Sequence, residues 1–184
     1  KISIDSANLM NKVFEVIEAC KIFKFSKDKY RIMIHPQSYV HSIIRFKNGL
    51  IKMILYNTDM KIPISNTLYR KKNNILNIKK INAQILSTLN FQEVDSKRFP
   101  SIKLIKKCLT LGSLAPTIVN ASNEVLVTLF LNNKIGFLDI VKTINRIIKD
   151  KDFKKYATRK VRSIKDIQIS DNWTRLKTYS MCVR

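Results

Sequence analysis

The sequence contains no run of about 18 apolar residues, so it carries no membrane-spanning helix. It has no recognisable signal peptide at its start. It has no GxGxxG, Walker A, HExxH or CxxC motif, so it brings no nucleotide-binding fingerprint of its own. Its three cysteines, Cys20, Cys108 and Cys182, are far apart and odd in number. That spacing suits neither a disulfide framework nor a metal site, and it reads as reduced, mostly buried thiols. There is no internal repeat. Gly (3), Pro (4) and Trp (1) are scarce, whereas 26 Lys, 27 Ile and 16 Asn fill much of the 184 residues. Residues with A/T-rich codons are thus favoured, as in a reduced, AT-rich genome. Acidic residues are also few: 13 against 35 Lys and Arg, a formal net charge of +22. Such a charge invites a nucleic-acid reading. The lysines are scattered rather than striped, so compositional bias is the simpler source. With 45% hydrophobic residues the chain has enough apolar surface for one good core or two small ones.

The opening "KISI" reads as strand-like and runs into the polar cluster "DSAN". Residues 6–23 then carry a helical period. Asn8, Asn11, Lys12, Glu15 and Glu18 share one arc, and Leu9, Met10, Val13, Phe14, Val16, Ile17 and Cys20 fill the other. Asp5 or Ser6 is the expected N-cap. A strand is predicted over 30–35, ended by Pro36. Residues 39–46 and 50–56 flank "KNG", and Asn48-Gly49 predicts a hairpin. Residues 59–69 read as a helix with Asp59 as N-cap and Pro63 early. Residues 70–98 read as a connection with little regular structure. Helices are predicted over 99–112, ending at a Gly112 C-cap, and over 115–133. Another is predicted over 136–151, with Asp139 early and lysines late. Residues 158–181 show a weaker pattern. The expected class is an α+β portion, helix plus antiparallel hairpin strands, followed by an all-α C-terminal bundle.

The first helix is the richest candidate site. A helix N-terminus suits a phosphate, and Ser6, Asn11 and Lys12 add a hydroxyl, an amide and a cation nearby. Glu15, one turn beyond Asn11, can take a hard divalent cation. The plain alternative is an amphipathic surface helix with an N-cap and a Lys12–Glu15 i,i+3 pair. His35 and His41, six apart around Pro36, have poor metal spacing and read as strand-end histidines with ordinary hydrogen bonds. "SNE" at 122–124 reads as polar filling of a helical interface.

Taken in order, "KISIDSANLMNKVFEVIEA", "IHPQSYVHSIIRFKNG", "TDMKIPI", "FPSIKL" and "VNASNEVLVTLFL" resemble the 1-deoxy-D-xylulose 5-phosphate reductoisomerase family. The resemblance runs to about residue 150. It implies that this chain is the C-terminal part of such an enzyme, without its NADPH domain and the first half of its catalytic domain. The lack of an opening Met and of a dinucleotide fingerprint would follow. Residues 1–75 would complete the catalytic domain, 76–95 would be a linker, and 96–184 a C-terminal helical domain. The resemblance places substrate phosphate and hydroxyl contacts on Ser6, Asn11 and Lys12, and a carboxylate metal ligand on Glu15. It puts His41 near the site and Met60 toward the nicotinamide.

The implied reaction is a rearrangement of a phosphosugar assisted by Mg²⁺ or Mn²⁺, followed by reduction with NADPH to 2-C-methyl-D-erythritol 4-phosphate. The resemblance also implies a cytoplasmic homodimer with no nucleic-acid or membrane partner, and a fragment inactive alone. The chain departs from the family pattern at Val13, where Gly is usual, and at Cys20 and Lys21 in "ACKIF", where the family has "ARWLF". Thr58 stands for the Pro of an "EPDM" turn. These changes bear on loop packing and efficiency. Two other readings stand beside this one. One is a basic helical nucleic-acid-binding module built on 69–74 and 149–162. The other is a degenerate scaffold, against which the intact Ser6, Asn11, Lys12 and Glu15 argue.

Overall fold

The computed structural model describes residues 1–69 and 82–182. In chain order the elements are α1 (Ile2–Ala7), α2 (Met10–Phe23), β1 (Met33–Ile34), β2 (Val40–Arg45), β3 (Ile51–Leu55) and α3 (Lys61–Leu68). After the undescribed stretch come α4 (Ala83–Ser87), β4 (Gln92–Glu93), α5 (Lys103–Thr110), α6 (Ala115–Leu131), α7 (Phe137–Ile148), α8 (Phe153–Ala157) and α9 (Ile164–Cys182). They form two packing units, Lys1–Arg31 with Asp95–Arg184, and Ile32–Val94. The expected segments 1–75, 76–95 and 96–184 describe parts of a family chain, and packing groups the residues differently. Residues 76–81 of the expected linker lie outside the described residues.

In the first unit α6 is the central helix, with α5, α7, α8 and α9 packed around it. It is apolar on most sides, as a buried helix must be. Ile118, Val119, Ala121 and Leu126 are all buried. Ile118 and Ala115 pack with Ile147, Phe153 and Ala157 into one cluster. Gly112 ends α5 with φ +135°, where the chain passes close against the backbone of Ala157. At the start of α7, Asp139 accepts from the Gly136 N–H at 3.0 Å and satisfies one of the helix's orphan donors. Cys108 lies 2% exposed on α5, and burial pushes its thiol up to about 12, so it stays neutral.

α9 joins α6 differently. Its buried residues are Ser170, Thr174 and Thr178, spaced one turn apart. The threonine hydroxyls are satisfied inside the helix: Thr174 donates to the Ser170 carbonyl and Thr178 to the Thr174 carbonyl. Salt bridges border this seam. Arg175 pairs with Asp171 at 2.6 Å and with Glu124 of α6 at 2.7 Å, and Lys177 pairs with Asp150 at 2.7 Å. Hydrogen bonds from Lys1 and then Arg175 hold the Glu124 carboxyl below its usual range.

Three expectations change in this unit. "KISI" is not a strand: Ile2–Ala7 is helical. The predicted helix over 6–23 breaks at Leu9, a left-handed residue with φ 59°. Neither Asp5 nor Ser6 caps it, because the helix has already begun at Ile2. Instead the Asn8 Oδ1 accepts the Met10 N–H at 3.0 Å. Asn8 thereby leaves the polar arc and is buried, at 6% exposure. The break has a tertiary cause. Met10, Val13 and Ile17 of α2 are buried, each stabilising the fold by roughly 1.5–3 kcal/mol. Val13, one of the departures from the family pattern, is thus a core residue.

In the second unit β2 and β3 form the predicted hairpin, with Ile43 opposite Met53 and Arg45 opposite Ile51. Gly49 takes φ +87°, as the loop requires. The strand expected over 30–35 is only Met33–Ile34, paired antiparallel with β4 (Met33 opposite Glu93, Ile34 opposite Gln92). Within the stretch 70–98, read as irregular, 82–98 contain α4 and β4; residues 70–81 lie outside the described residues. α3 begins at Lys61, with Met60 in the cap position. Asp59 still serves the helix start, since its Oδ1 accepts the Lys61 N–H at 2.9 Å.

Candidate functional site

The α1–α2 break presents a polar edge on the first unit. Ser6 is exposed at the end of α1, and Asn11, Lys12 and Glu15 lie on the first turns of α2. The Asn11 Nδ2 donates to the Ser6 Oγ at 3.5 Å, linking the two helices. The Asn11 Oδ1 accepts the backbone N–H of Lys12 at 2.9 Å. The Lys12 Nζ donates to both Glu15 oxygens at 2.9 Å. Both side chains of this pair stay accessible, at 42% and 55%. Two of the four predicted contact residues, Ser6 and Asn11, thus meet across the break, and the other two, Lys12 and Glu15, pair within α2. The free helix N-terminus expected there is partly closed, because the Met10 and Lys12 N–H groups already have side-chain acceptors.

Chemically the edge offers a hydroxyl, an amide, an ammonium and a carboxylate. The first three suit an anionic, hydroxylated ligand. The Glu15 carboxylate is the kind of hard oxygen donor that Mg²⁺ or Mn²⁺ takes. Among the described residues no three His, Cys, Asp or Glu side chains cluster to hold a metal.

His41 and Met60 belong to the second unit. The His41 Nε2 bonds the Tyr56 carbonyl at 3.2 Å, and its ring stacks on Tyr56 with centroids 3.6 Å apart. His35 bonds the Asn90 carbonyl through Nδ1 at 2.8 Å and stacks on Phe91. Both are the hydrogen-bonded strand-end histidines that the sequence predicts. Met60 is 66% exposed and lines a shallow apolar groove with Pro63, Ile64, Thr67 and Leu68.

Beneath the polar edge lies a set the sequence reading did not join to it. Asp5 is buried and accepts from the Asn123 Nδ2 at 2.8 Å. The Ser101 hydroxyl donates to the Asn8 carbonyl. Sequence flagged Ser122 and Asn123 as polar filling of a helix interface, and both are fully buried. The only further signal was their place in an otherwise apolar helix. Their partners are distant in the chain: Thr178 lies 56 positions from Ser122, and Asp5 lies 118 from Asn123.

Comparison with known proteins agrees with this architecture. A family model described as the DXP reductoisomerase C-terminal domain matches residues 55–177. A second, the 1-deoxy-D-xylulose 5-phosphate reductoisomerase C-terminal domain, matches residues 1–23. The chain is 44% identical over 183 residues to 1-deoxy-D-xylulose 5-phosphate reductoisomerase of Pelagibacter ubique, a match covering 100% of this chain and 47% of the relative. It is 35% identical over 181 residues to the Zymomonas mobilis enzyme, covering 98% and 45%. Solved structures of this kind are similar to it as well, and two of them serve as examples. The Zymomonas mobilis enzyme in complex with NADPH superposes with a TM-score of 0.88 at 34% identity, covering 100% of this chain and 47% of that one. A DOX-P reductoisomerase in complex with NADPH, fosmidomycin and magnesium gives 0.91 at 31% identity, covering 97% and 45%. The fold is thus that of the C-terminal portion of a reductoisomerase. The chain belongs to the 1-deoxy-D-xylulose 5-phosphate reductoisomerase family, and it spans about half the length of the relatives it matches. The alternative of a basic nucleic-acid module finds no support in these matches. Among the described residues no helix is long and apolar enough to cross a membrane.

Proposed function

We propose that this chain is the C-terminal part of an NADPH-dependent reductoisomerase that converts 1-deoxy-D-xylulose 5-phosphate to 2-C-methyl-D-erythritol 4-phosphate. Within it, Ser6, Asn11 and Lys12 bind the phosphate and hydroxyls of the substrate, and Glu15 holds a divalent cation. The observation that carries this reading is the contact of Asn11 with Ser6 across the α1–α2 break, with the Lys12–Glu15 pair following on the first turns of α2. Residues 1–75 then complete a catalytic domain, 76–95 connect it, and 96–184 form the helical domain.

Each side chain has a definable task. The Lys12 ammonium offsets phosphate charge, and Ser6 donates its hydroxyl to a phosphate oxygen. Asn11, already in hydrogen-bond reach of Ser6, donates its second amide N–H to a substrate oxygen. Holding the phosphate end converts binding energy into orientation of the reacting carbons. When bound, Mg²⁺ or Mn²⁺ supplies Lewis acidity toward the substrate's oxygens, and Glu15 contributes one oxygen ligand to it. The chain has no dinucleotide fingerprint, so we assign none of its residues to hydride transfer. His41 and Met60 take supporting places near the substrate and the nicotinamide. The complete enzyme is read as a cytoplasmic homodimer, and the 184 residues alone as inactive.

The test uses the complete enzyme. NADPH oxidation is followed with 1-deoxy-D-xylulose 5-phosphate and Mg²⁺, for wild type and for Glu15→Gln. Turnover in wild type with a far higher Mg²⁺ requirement in the variant is expected. Equal Mg²⁺ dependence would remove Glu15 from the metal site, and absence of turnover in wild type would favour the degenerate scaffold.

A further inference from the structure

The buried set under the polar edge has no part in the chemistry assigned so far. Asp5 is 6% exposed and Asn123 is fully buried, and they are joined at 2.8 Å across 118 positions of sequence. Burying such groups is costly unless each finds a partner, and an apolar pair of similar volume would pack at less cost. What the polar pair adds is direction. It sets one rotation of α1 against α6. A slip of one residue along α1 would turn every side chain on it by about 100°.

The position of this grip matters. Ser6 follows Asp5 directly. Two residues later the Ser101 hydroxyl holds the Asn8 carbonyl, and the Asn8 side chain holds the Met10 N–H. Between them Leu9 turns left-handed and redirects the chain toward Asn11 and Lys12. The bonds therefore grip both sides of Ser6 and of the break that brings Ser6 within 3.5 Å of Asn11. Ser6 itself is exposed and has no other anchor to the bundle among the bonds described.

We propose that Asp5 and Asn123, with Ser101 on the Asn8 carbonyl, are positioning residues, through which the helical bundle holds Ser6, Asn11 and Lys12 in the one arrangement that takes the substrate's phosphate end. This rests on the substrate-binding reading of that edge. The two are separable, because the pair is buried and touches no substrate.

The experiment is a swap in the complete enzyme. Asn123→Asp sets two carboxyl groups against each other and removes the donor. Asp5→Asn combined with Asn123→Asp restores one donor and one acceptor with nearly the same atoms. In Asn123→Asp the KM for 1-deoxy-D-xylulose 5-phosphate, and its Kd by calorimetry without NADPH, are expected to rise about tenfold or more, with the KM for NADPH unchanged. The double variant is expected to return to within about twofold of wild type, as the geometry argument requires. A folded Asn123→Asp enzyme with wild-type substrate KM would overturn the positioning pair, as would a double variant no better than the single. If Asn123→Asp does not fold, Ser101→Ala decides. It removes only the bond to the Asn8 carbonyl, and an unchanged substrate KM there also counts against the proposal. Lys12→Met with unchanged KM, beside an impaired Asn123→Asp, would instead overturn the substrate-binding reading and the positioning role built on it.

Discussion

The Nζ of Lys12 stands 2.9 Å from both carboxylate oxygens of Glu15, one turn along α2. In the proposed enzyme these two groups serve different ligands, so the pair must loosen when substrate and cation arrive. An exposed i,i+3 pair of this kind stabilises the fold by no more than about 0.5 kcal/mol. Loosening it is therefore cheap. Lys12→Met is expected to leave thermal stability nearly unchanged. It should raise the substrate KM roughly 10- to 100-fold, the worth of a charge-assisted bond of about 1.5–3 kcal/mol. Initial rates against substrate concentration measure this, and a KM equal to wild type would take Lys12 off the phosphate.

The N-terminus of α9 depends on Asp166. Its carboxyl accepts the backbone N–H groups of Arg162 and Ser163 at 3.0 and 3.1 Å, and the Arg159 Nε at 2.9 Å. The Arg162 N–H, then Arg159, hold it at about 2, below the ordinary 3.8. A depressed carboxyl stabilises the fold above its unfolded pKa, and that contribution is lost as pH falls through its folded pKa. The loss therefore falls between about pH 4 and about pH 2. Asp166→Asn is expected to lower stability at neutral pH and to flatten the acid limb in that window. Denaturant melts at a series of pH values would show it, and parallel limbs for the two proteins would mean the cap does not hold α9.

Gly112 cannot carry a side chain without movement. A Cβ there would meet the Ala157 carbonyl oxygen within about 2.4 Å, and its φ of +135° is strained for any other residue. The same oxygen accepts the Leu114 N–H at 2.9 Å, which ties the α5–α6 turn to the end of α8. Gly112→Ala is expected to destabilise by about 2 kcal/mol or more, from backbone strain and loss of that bond. Calorimetric melting tests it; a loss under about 0.5 kcal/mol would show that the turn can withdraw.

Ile118 is fully buried where α6 meets α7 and α8. Ile118→Ala leaves a cavity among Ile147, Phe153 and Ala157 and is expected to cost about 2–5 kcal/mol, against about 0.5–1.5 for Ile118→Val. Trp173, half-buried against this cluster and stacked on Tyr156 with centroids 4.4 Å apart, is a local reporter by fluorescence. Equal losses for the two variants would mean that the core closes over the gap.

Much of this was legible along the chain, and the reason is local. Asn48-Gly49 predicts the hairpin because its loop needs a residue at positive φ, and Gly49 supplies it. Helices α5, α6 and α7 announce themselves through apolar period and through Pro116, Gly112 and Asp139 at their ends. α9 was faint because its buried stripe is Ser170, Thr174 and Thr178, which hydropathy scores as surface. Only burial against α6, with each threonine hydroxyl returned to its own helix, reveals it as core.

The sequence by itself determined the hairpin, helices α5, α6 and α7 and the Lys12–Glu15 pair, because each depends on neighbours within a turn or two. It also determined the family, through long motifs read in order. Tertiary structure alone decided the helical start at Ile2, the left-handed turn at Leu9 and the burial of Asp5 and Asn8. These rest on partners at Ser101 and Asn123, some 93 and 118 residues away. Local propensity favours a strand for "KISI", and the bonds that the buried Asp5 and Asn8 make to Asn123 and Ser101 just beyond it outweigh that preference.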